Sequence, residues 1–351
     1  MVIDMFNLHF KQIMMQTAGI TLTMFSFFAL LTVDVYAAES RGITIEKTAQ
    51  SQASKINKGV YRALIIGNNE YKDQQGKWQP LSTAITDARE VARLLEEQYG
   101  FTDIKLLENA TRRDVLFALE ELANKSLKND NVLIYYAGHG FLDDESNKGF
   151  WVPVDANGSD HTTFLRNSTI RDEVSSIASR VQHTLLISDS CFSGSLLRTA
   201  SRGISESDYT EKYFEKVSNK KSVQIMAAGG FEFVDDDYRE SGHSPFTYFL
   251  INELKTNNSP MFTVSQLSGN VERAVANNVE QVPESGVLQG AGDELGEFIF
   301  IKVDVAVEGV DPDRVKVEVN VVPADKNKTD STVKKVKQPV NKQKVVPIPT
   351  L

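Results

Sequence analysis

Four short apolar runs constrain this chain more than any other feature: VYRALIIG at 60–67, DIKLLEN at 103–109, NVLIYYAG at 131–138 and HTLLISD at 183–189. They are continuous rather than alternating, and rich in branched and aromatic residues. That is the pattern of strands buried on both faces of a parallel sheet. Helix-like stretches separate them. Residues 81–100 put Ala84, Ala88, Val91, Leu94 and Leu95 on one stripe and stop at Gly100. Thr111 with Asp114 can cap a helix through Val115, Leu116, Leu119 and Leu122, and a further helix is expected at 169–181. Strand and helix in alternation build βαβ units with right-handed crossovers. The expected fold is α/β, three layers, with a mostly parallel central sheet flanked by helices. SVQIMAAG at 222–229 extends the strands, 244–255 and 264–278 read as helices, and GEFIFIKV at 296–303 is expected to close the sheet.

The flanks differ from this core. Residues 13–33 are apolar, preceded by Lys11 and followed by Val35-Tyr36-Ala37-Ala38. This is the layout of a secretory signal cut near Ala37, within a leader of 1–38. The alternative is membrane anchoring through 13–33, and in both cases the remainder is exported, periplasmic or extracellular. A polar linker at 39–58 leads into the main domain at 59–302, and 303–323 reads as a short β-like extension. The tail at 324–351 has seven lysines against Asp325 and Asp330, a net of +5, and the composition of a disordered segment. The whole chain carries a net charge of −9. No nucleic-acid partner is expected from that balance.

In a doubly wound sheet, ligands bind beyond the carboxyl ends of the strands. The residues there are Gly67-Asn68-Asn69, Gly138-His139-Gly140 and Asp189-Ser190-Cys191. Cys191 is the sole cysteine, so no intramolecular disulfide explains it. If the strands before His139 and Cys191 are neighbours, imidazole and thiol come within reach, which nucleophilic catalysis requires. The glycines beside His139 allow close approach of a substrate backbone, and the N–H groups of Gly140 and Cys191 are candidates for an oxyanion site. His183 sits at the wrong end of its strand, His161 lies in a polar loop, and His243 reads as a surface or capping-loop residue. Ser190 and Ser193 lack the G-x-S-x-G elbow of a serine hydrolase, and metal-hydrolase and phosphate-loop motifs are absent from the sequence.

The chain resembles the caspase-like cysteine peptidases, closest to their bacterial metacaspase-like branch. The matching pieces are ALIIGNNEY (63–71), 81–101, VLIYYAGHG (132–140), LLISDSCFSG (185–194), SPFTYFLINEL (244–254) and GEFIF (296–300). The resemblance implies a caspase-like fold and a cysteine endopeptidase with His139 and Cys191 as its dyad, acting on a peptide or protein substrate. The two lie 52 positions apart, near the spacing of about fifty known for caspases. It further implies that Asp87 and Asp189 bind a basic residue, so that cleavage follows Arg or Lys. The caspase Gln-Ala-Cys signature is absent, and Phe192 stands where close relatives carry histidine. The loop at 196–221, with Arg198, Arg202, Lys220 and Lys221, is a candidate for self-cleavage. No cofactor is required. Some relatives need calcium, for which Asp235, Asp236 and Asp237 are the candidates, although consecutive acids more often form a solvated turn. The residues leave two alternatives open: a catalytically silent caspase-like module that binds protein, and a Cys/His hydrolase of a non-peptide amide.

Overall fold

The computed structural model describes residue 56 and residues 59–190, 196–198, 209–229, 236–303 and 316–321, with backbone alone for 197–198 and 316–321. The four apolar runs become strands β1 (Tyr61–Gly67), β2 (Asp103–Glu108), β3 (Asn131–Ala137) and β7 (His183–Asp189). Between them lie helices α1 (Ala84–Tyr99), α2 (Arg112–Lys125) and α3 (Asn167–Arg180). After β7 come β8 (Leu197–Arg198), α4 (Glu211–Ser218), β9 (Ser222–Ala227), α5 (Pro245–Thr256), α6 (Val264–Ala276), β11 (Glu284–Leu288) and β13 (Lys316–Val321). The central sheet runs β13-β2-β1-β3-β7-β9-β11-β8, parallel from β13 through β9, with β11 antiparallel to β9 and β8 antiparallel to β11.

Strand side chains alternate between two apolar layers, as the pleat demands. Ala63 and Ile65 of β1 join Ala88, Val91 and Leu95 of α1, Phe246 and Leu250 of α5, and Leu267 and Val271 of α6. Leu64 and Ile66 face the other way, onto Val115 and Leu119 of α2 and Ile170 and Val174 of α3. The helix stops follow local chemistry. Thr111 and Asp114 form a reciprocal capping box on α2, and Gly100 ends α1 at φ 64° with its N–H on the Leu95 carbonyl. Gly67 ends β1 against α1, where a Cβ would lie 2.5 Å from the Ala84 carbonyl oxygen.

The segment expected to close the central sheet does not do so. Within 296–303, β12 (Ile299–Ile301) pairs antiparallel with β10 (Met261–Thr263) in a separate ribbon. That ribbon is covered on both faces. Phe262, Phe298 and Phe300 enter the core on the α1 side, while Met261, Ile299 and Ile301 pack on Phe214 and Val217 of α4. Burial on both sides gives the run its central-strand composition. Within the expected β-like extension at 303–323, β13 covers the outer edge of β2 in register Val321 to Glu108. A third sheet, β4 (Gly140–Asp143), β5 (Lys148–Trp151) and β6 (Leu165–Arg166), rises directly after His139. Among the described residues no helix is long and apolar enough to cross a membrane, and 13–33 lie outside them.

Candidate active site

Strands β3 and β7 pair in parallel with Ala137 opposite Asp189, and the Gly138 N–H donates to the Asp189 carbonyl at 3.3 Å. The strands carrying the histidine and cysteine motifs are therefore neighbours. His139 and Cys191 each stand two positions beyond that paired rung; Cys191 itself lies outside the described residues. Strand order reverses around β1, so this end of β3 borders the switch point at which doubly wound sheets bind ligands.

His139 is held from all sides. Its Nε2 lies 2.7 Å from the Gln79 carbonyl oxygen, which can only accept, so Nε2 carries the proton and Nδ1 the lone pair. Its backbone N–H donates to the Tyr71 hydroxyl at 2.7 Å, and its carbonyl accepts from Val152 N–H and the Tyr136 hydroxyl, each at 3.0 Å. The rings of Tyr71 and Trp78 flank the imidazole at 4.6 and 5.6 Å. Gly138 is what lets Tyr71 and Tyr136 close in, since a Cβ there would sit 2.8–2.9 Å from their hydroxyls. Burial holds the His139 pKa below the usual imidazole value, so the ring is neutral at neutral pH. The Val152 to His139 bond flanks the rung Gly140–Trp151, which makes that rung a non-hydrogen-bonded pair. The ladder thus leaves the Gly140 N–H unused.

Beside His139 a pocket opens onto two carboxylates, Asp87 in the first turn of α1 and Asp189 at the end of β7. Both are nearly fully buried, at 1% and 5% exposure. One dipeptide joins them. Ser244 donates its N–H to Asp87 Oδ2 at 3.2 Å and its hydroxyl to Asp189 Oδ2 at 2.5 Å, while His243 Nδ1 meets Asp87 Oδ1 at 2.6 Å. Thr247 adds a second hydroxyl to Asp189 Oδ2 at 2.6 Å and takes one from Tyr135. Among the described residues Asp189 Oδ1 has no hydrogen-bond partner. Burial, then the neighbouring charge of Asp87, pushes the Asp189 pKa up to about 7; burial also raises that of Asp87 against its bonds to His243 and Ser244.

The remaining expectations sort clearly. Ser190 is buried and its hydroxyl lies 3.1 Å from that of Ser188, itself bonded to the Trp151 indole. His183 bonds Ser222 and the Ser218 carbonyl at the far end of β7, and burial lowers its pKa to about 4. His161 stacks among Phe141, Phe150 and Phe164. Of the acidic run, Asp235 lies outside the described residues. Asp236 accepts from the N–H and hydroxyl of Ser82 and from the hydroxyl of Thr83, the N-cap residue of α1, and Asp237 accepts from Gly242 N–H. Among the described residues no cluster of three or more His, Cys, Asp or Glu forms a cation site. His243, read as a surface or capping-loop residue, does stand directly before the Ser244 N-cap of α5, and from there its Nδ1 also reaches Asp87, which lines the pocket. Gln79, Tyr71 and Thr247 carried no sequence signal of their own. Ser244 did, as a serine directly before a proline at a helix start.

Residues 61–287 match the sequence profile of the caspase domain, a family of peptidases. The chain belongs to the caspase-domain family. Among relatives of this caspase-domain chain are Metacaspase-7 of Arabidopsis thaliana, 31% identical over 207 residues (54% of this chain, 45% of that one), and Metacaspase-4 of the same plant, 28% over 181 residues (47% and 41%). Metacaspase-1 of Ajellomyces capsulatus is 28% identical over 156 residues (40% and 42%). The caspase-domain chain thus spans under half the length of the curated relatives it matches. Among solved structures, caspase-1 of Spodoptera frugiperda aligns at a TM-score of 0.47 and 14% identity, covering 67% of this chain and 91% of its own.

Proposed function

We propose that the protein is a cysteine endopeptidase that cleaves after Arg or Lys. In this reading Cys191 attacks the scissile carbonyl as thiolate and His139 takes its proton at Nδ1. The N–H groups of Gly140 and Cys191 bind the oxyanion of the tetrahedral intermediate. His139 then protonates the leaving amine, and a water that gives up its proton to His139 hydrolyses the thioester. Nε2 bonded to Gln79 fixes the tautomer this requires.

The observation that carries the specificity is the Asp189 Oδ1, buried beside Asp87 and without a hydrogen-bond partner among the described residues. A guanidinium or ammonium entering the pocket supplies the missing donor and the compensating charge. An acidic side chain would meet two carboxylates. The test is cleavage of fluorogenic peptides ending in Arg, Lys or Asp by the wild type, Cys191→Ala and His139→Ala. Turnover after Arg and Lys that is lost in both variants supports the reading. Equal inertness of all three would favour a silent protein-binding module, and cleavage after Asp alone would overturn the pocket assignment. The chemistry needs no metal, so activity is expected to survive EDTA; loss on chelation with recovery in calcium would call for a site involving residues such as Asp235. Export rests on the 13–33 segment, and the intact mass of the secreted protein distinguishes cleavage near Ala37 from a retained anchor.

A further inference from the structure

We propose that His243 is a specificity-determining positioning residue: its Nδ1 holds the Asp87 carboxylate, and the charge state of its ring sets how much negative charge the pocket offers a basic side chain. This rests on the reading of the pocket as the site of an Arg or Lys before the cut.

The two carboxylates are not equivalent. Both oxygens of Asp87 are engaged, Oδ1 by His243 and Oδ2 by the Ser244 N–H, whereas among the described residues the buried Oδ1 of Asp189 has no hydrogen-bond partner. Asp189 is therefore the group that a substrate cation touches, and Asp87 contributes its field. The field of Asp87 depends on what His243 carries. A neutral imidazole donates Nδ1–H and leaves the carboxylate charge in the pocket; a protonated one cancels it at 2.6 Å. The His243 side chain is 19% exposed while Asp87 is 1% exposed, so the histidine stands at the rim with the carboxylate behind it.

The other titratable groups around the pair are identifiable. Asp189 faces it from β7, Asp236 from the loop before α5, and His139 from beyond β3. Tyr135 on β3 stays neutral, since burial pushes its phenol far up. On the histidine's own loop, Asp237 bonds the Gly242 N–H, and Tyr238 N–H bonds the His243 carbonyl. Raising the pH through about 7 removes a proton from Asp189, and this makes the pocket more negative.

The experiment measures kcat/KM for a peptide ending in Arg, divided by that for its neutral citrulline twin, from pH 5.5 to 8.5. The ratio removes the titration of the catalytic dyad, which both substrates share. In the wild type it should climb by about tenfold or more, as expected for one or two added charges near a bound cation. His243→Asn keeps a donor for Asp87 but does not titrate. Its ratio should start higher at pH 5.5 and climb less, through Asp189 alone. His243→Ala removes the donor that holds Asp87 and should lower the ratio at pH 8.5 through KM. A His243→Asn curve that superimposes on the wild type overturns the role of His243 while leaving the basic pocket intact. A wild-type ratio near one at every pH overturns the pocket reading itself. Thermal melting of both variants separates misfolding from pocket effects, and the asparagine variant suffices where the alanine one fails to fold.

Discussion

Asp103 and Asp130, at the amino ends of the central strands, hold a cation that belongs to the chain: Arg62 of β1 donates Nη1 to Asp103 and Nε to Asp130 at 2.7 Å, and Lys125 adds a second contact to Asp103 at 2.8 Å. Asp130 is otherwise saturated by the N–H groups of Val60 and Leu127. At the carboxyl ends, Asp87 and Asp189 have hydroxyls, an N–H and His243 around them, but among the described residues no Lys or Arg bridges either one. One end of the sheet shows how this fold encloses a guanidinium between two carboxylates when the purpose is structure. The other presents a similar pair with one oxygen left open. Buried carboxylates without a cation are costly, and the raised pKa of Asp189 records that cost. The contrast points to an external cation at the crevice end.

Substitutions at the two ends should separate stability from specificity. The largest expected effect is on cleavage: Asp189→Asn should lower kcat/KM for Arg peptides by about 100-fold, as for removal of one member of a buried charge pair, and leave the citrulline peptide nearly unaffected. Asp87→Asn, acting through its field, should cost about tenfold on the same ratio. Next comes stability at the opposite end. Arg62→Met leaves Asp130 without a cation and Asp103 with Lys125 alone, and should cost about 3 kcal/mol in urea unfolding, with the Arg/citrulline ratio unchanged. The smallest effect has the opposite sign. Folding raises the Asp189 pKa from 3.8 to about 7, so the folded state holds this proton more tightly and stability falls as pH rises between those values. Asp189→Asn should therefore stabilise the protein by about 1–3 kcal/mol at pH 8 and by little below pH 4. An Arg62→Met variant that loses Arg selectivity, or an Asp189→Asn variant that loses stability at pH 8, would break the comparison.

Much of this architecture was legible because burial on both faces writes an unambiguous pattern. The strands at 60–67, 103–109, 131–138 and 183–189, their helices and the Thr111 cap all follow from it. The same signal misled at 296–303, because a ribbon covered by the core on one side and by α4 on the other has the composition of a central strand. The three-stranded sheet after His139 was missed since its strands are short and only partly buried. At the site, the motifs at the ends of β3 and β7 were readable because adjacent strands in register must bring their loops together. The partners of those motifs were not. Gln79 acts through its carbonyl, which no side chain reports, and His243 meets Asp87 across 156 positions of chain.

The central claim is that the two buried acids select a basic residue for the Cys191 and His139 chemistry. It is tested most directly by comparing kcat/KM for the Arg and citrulline peptides in the wild type and in Asp189→Asn at pH 8. A wild-type preference for Arg that collapses in the variant, while citrulline cleavage and folding persist, is the predicted result. Arg cleavage that survives Asp189→Asn undiminished would contradict it.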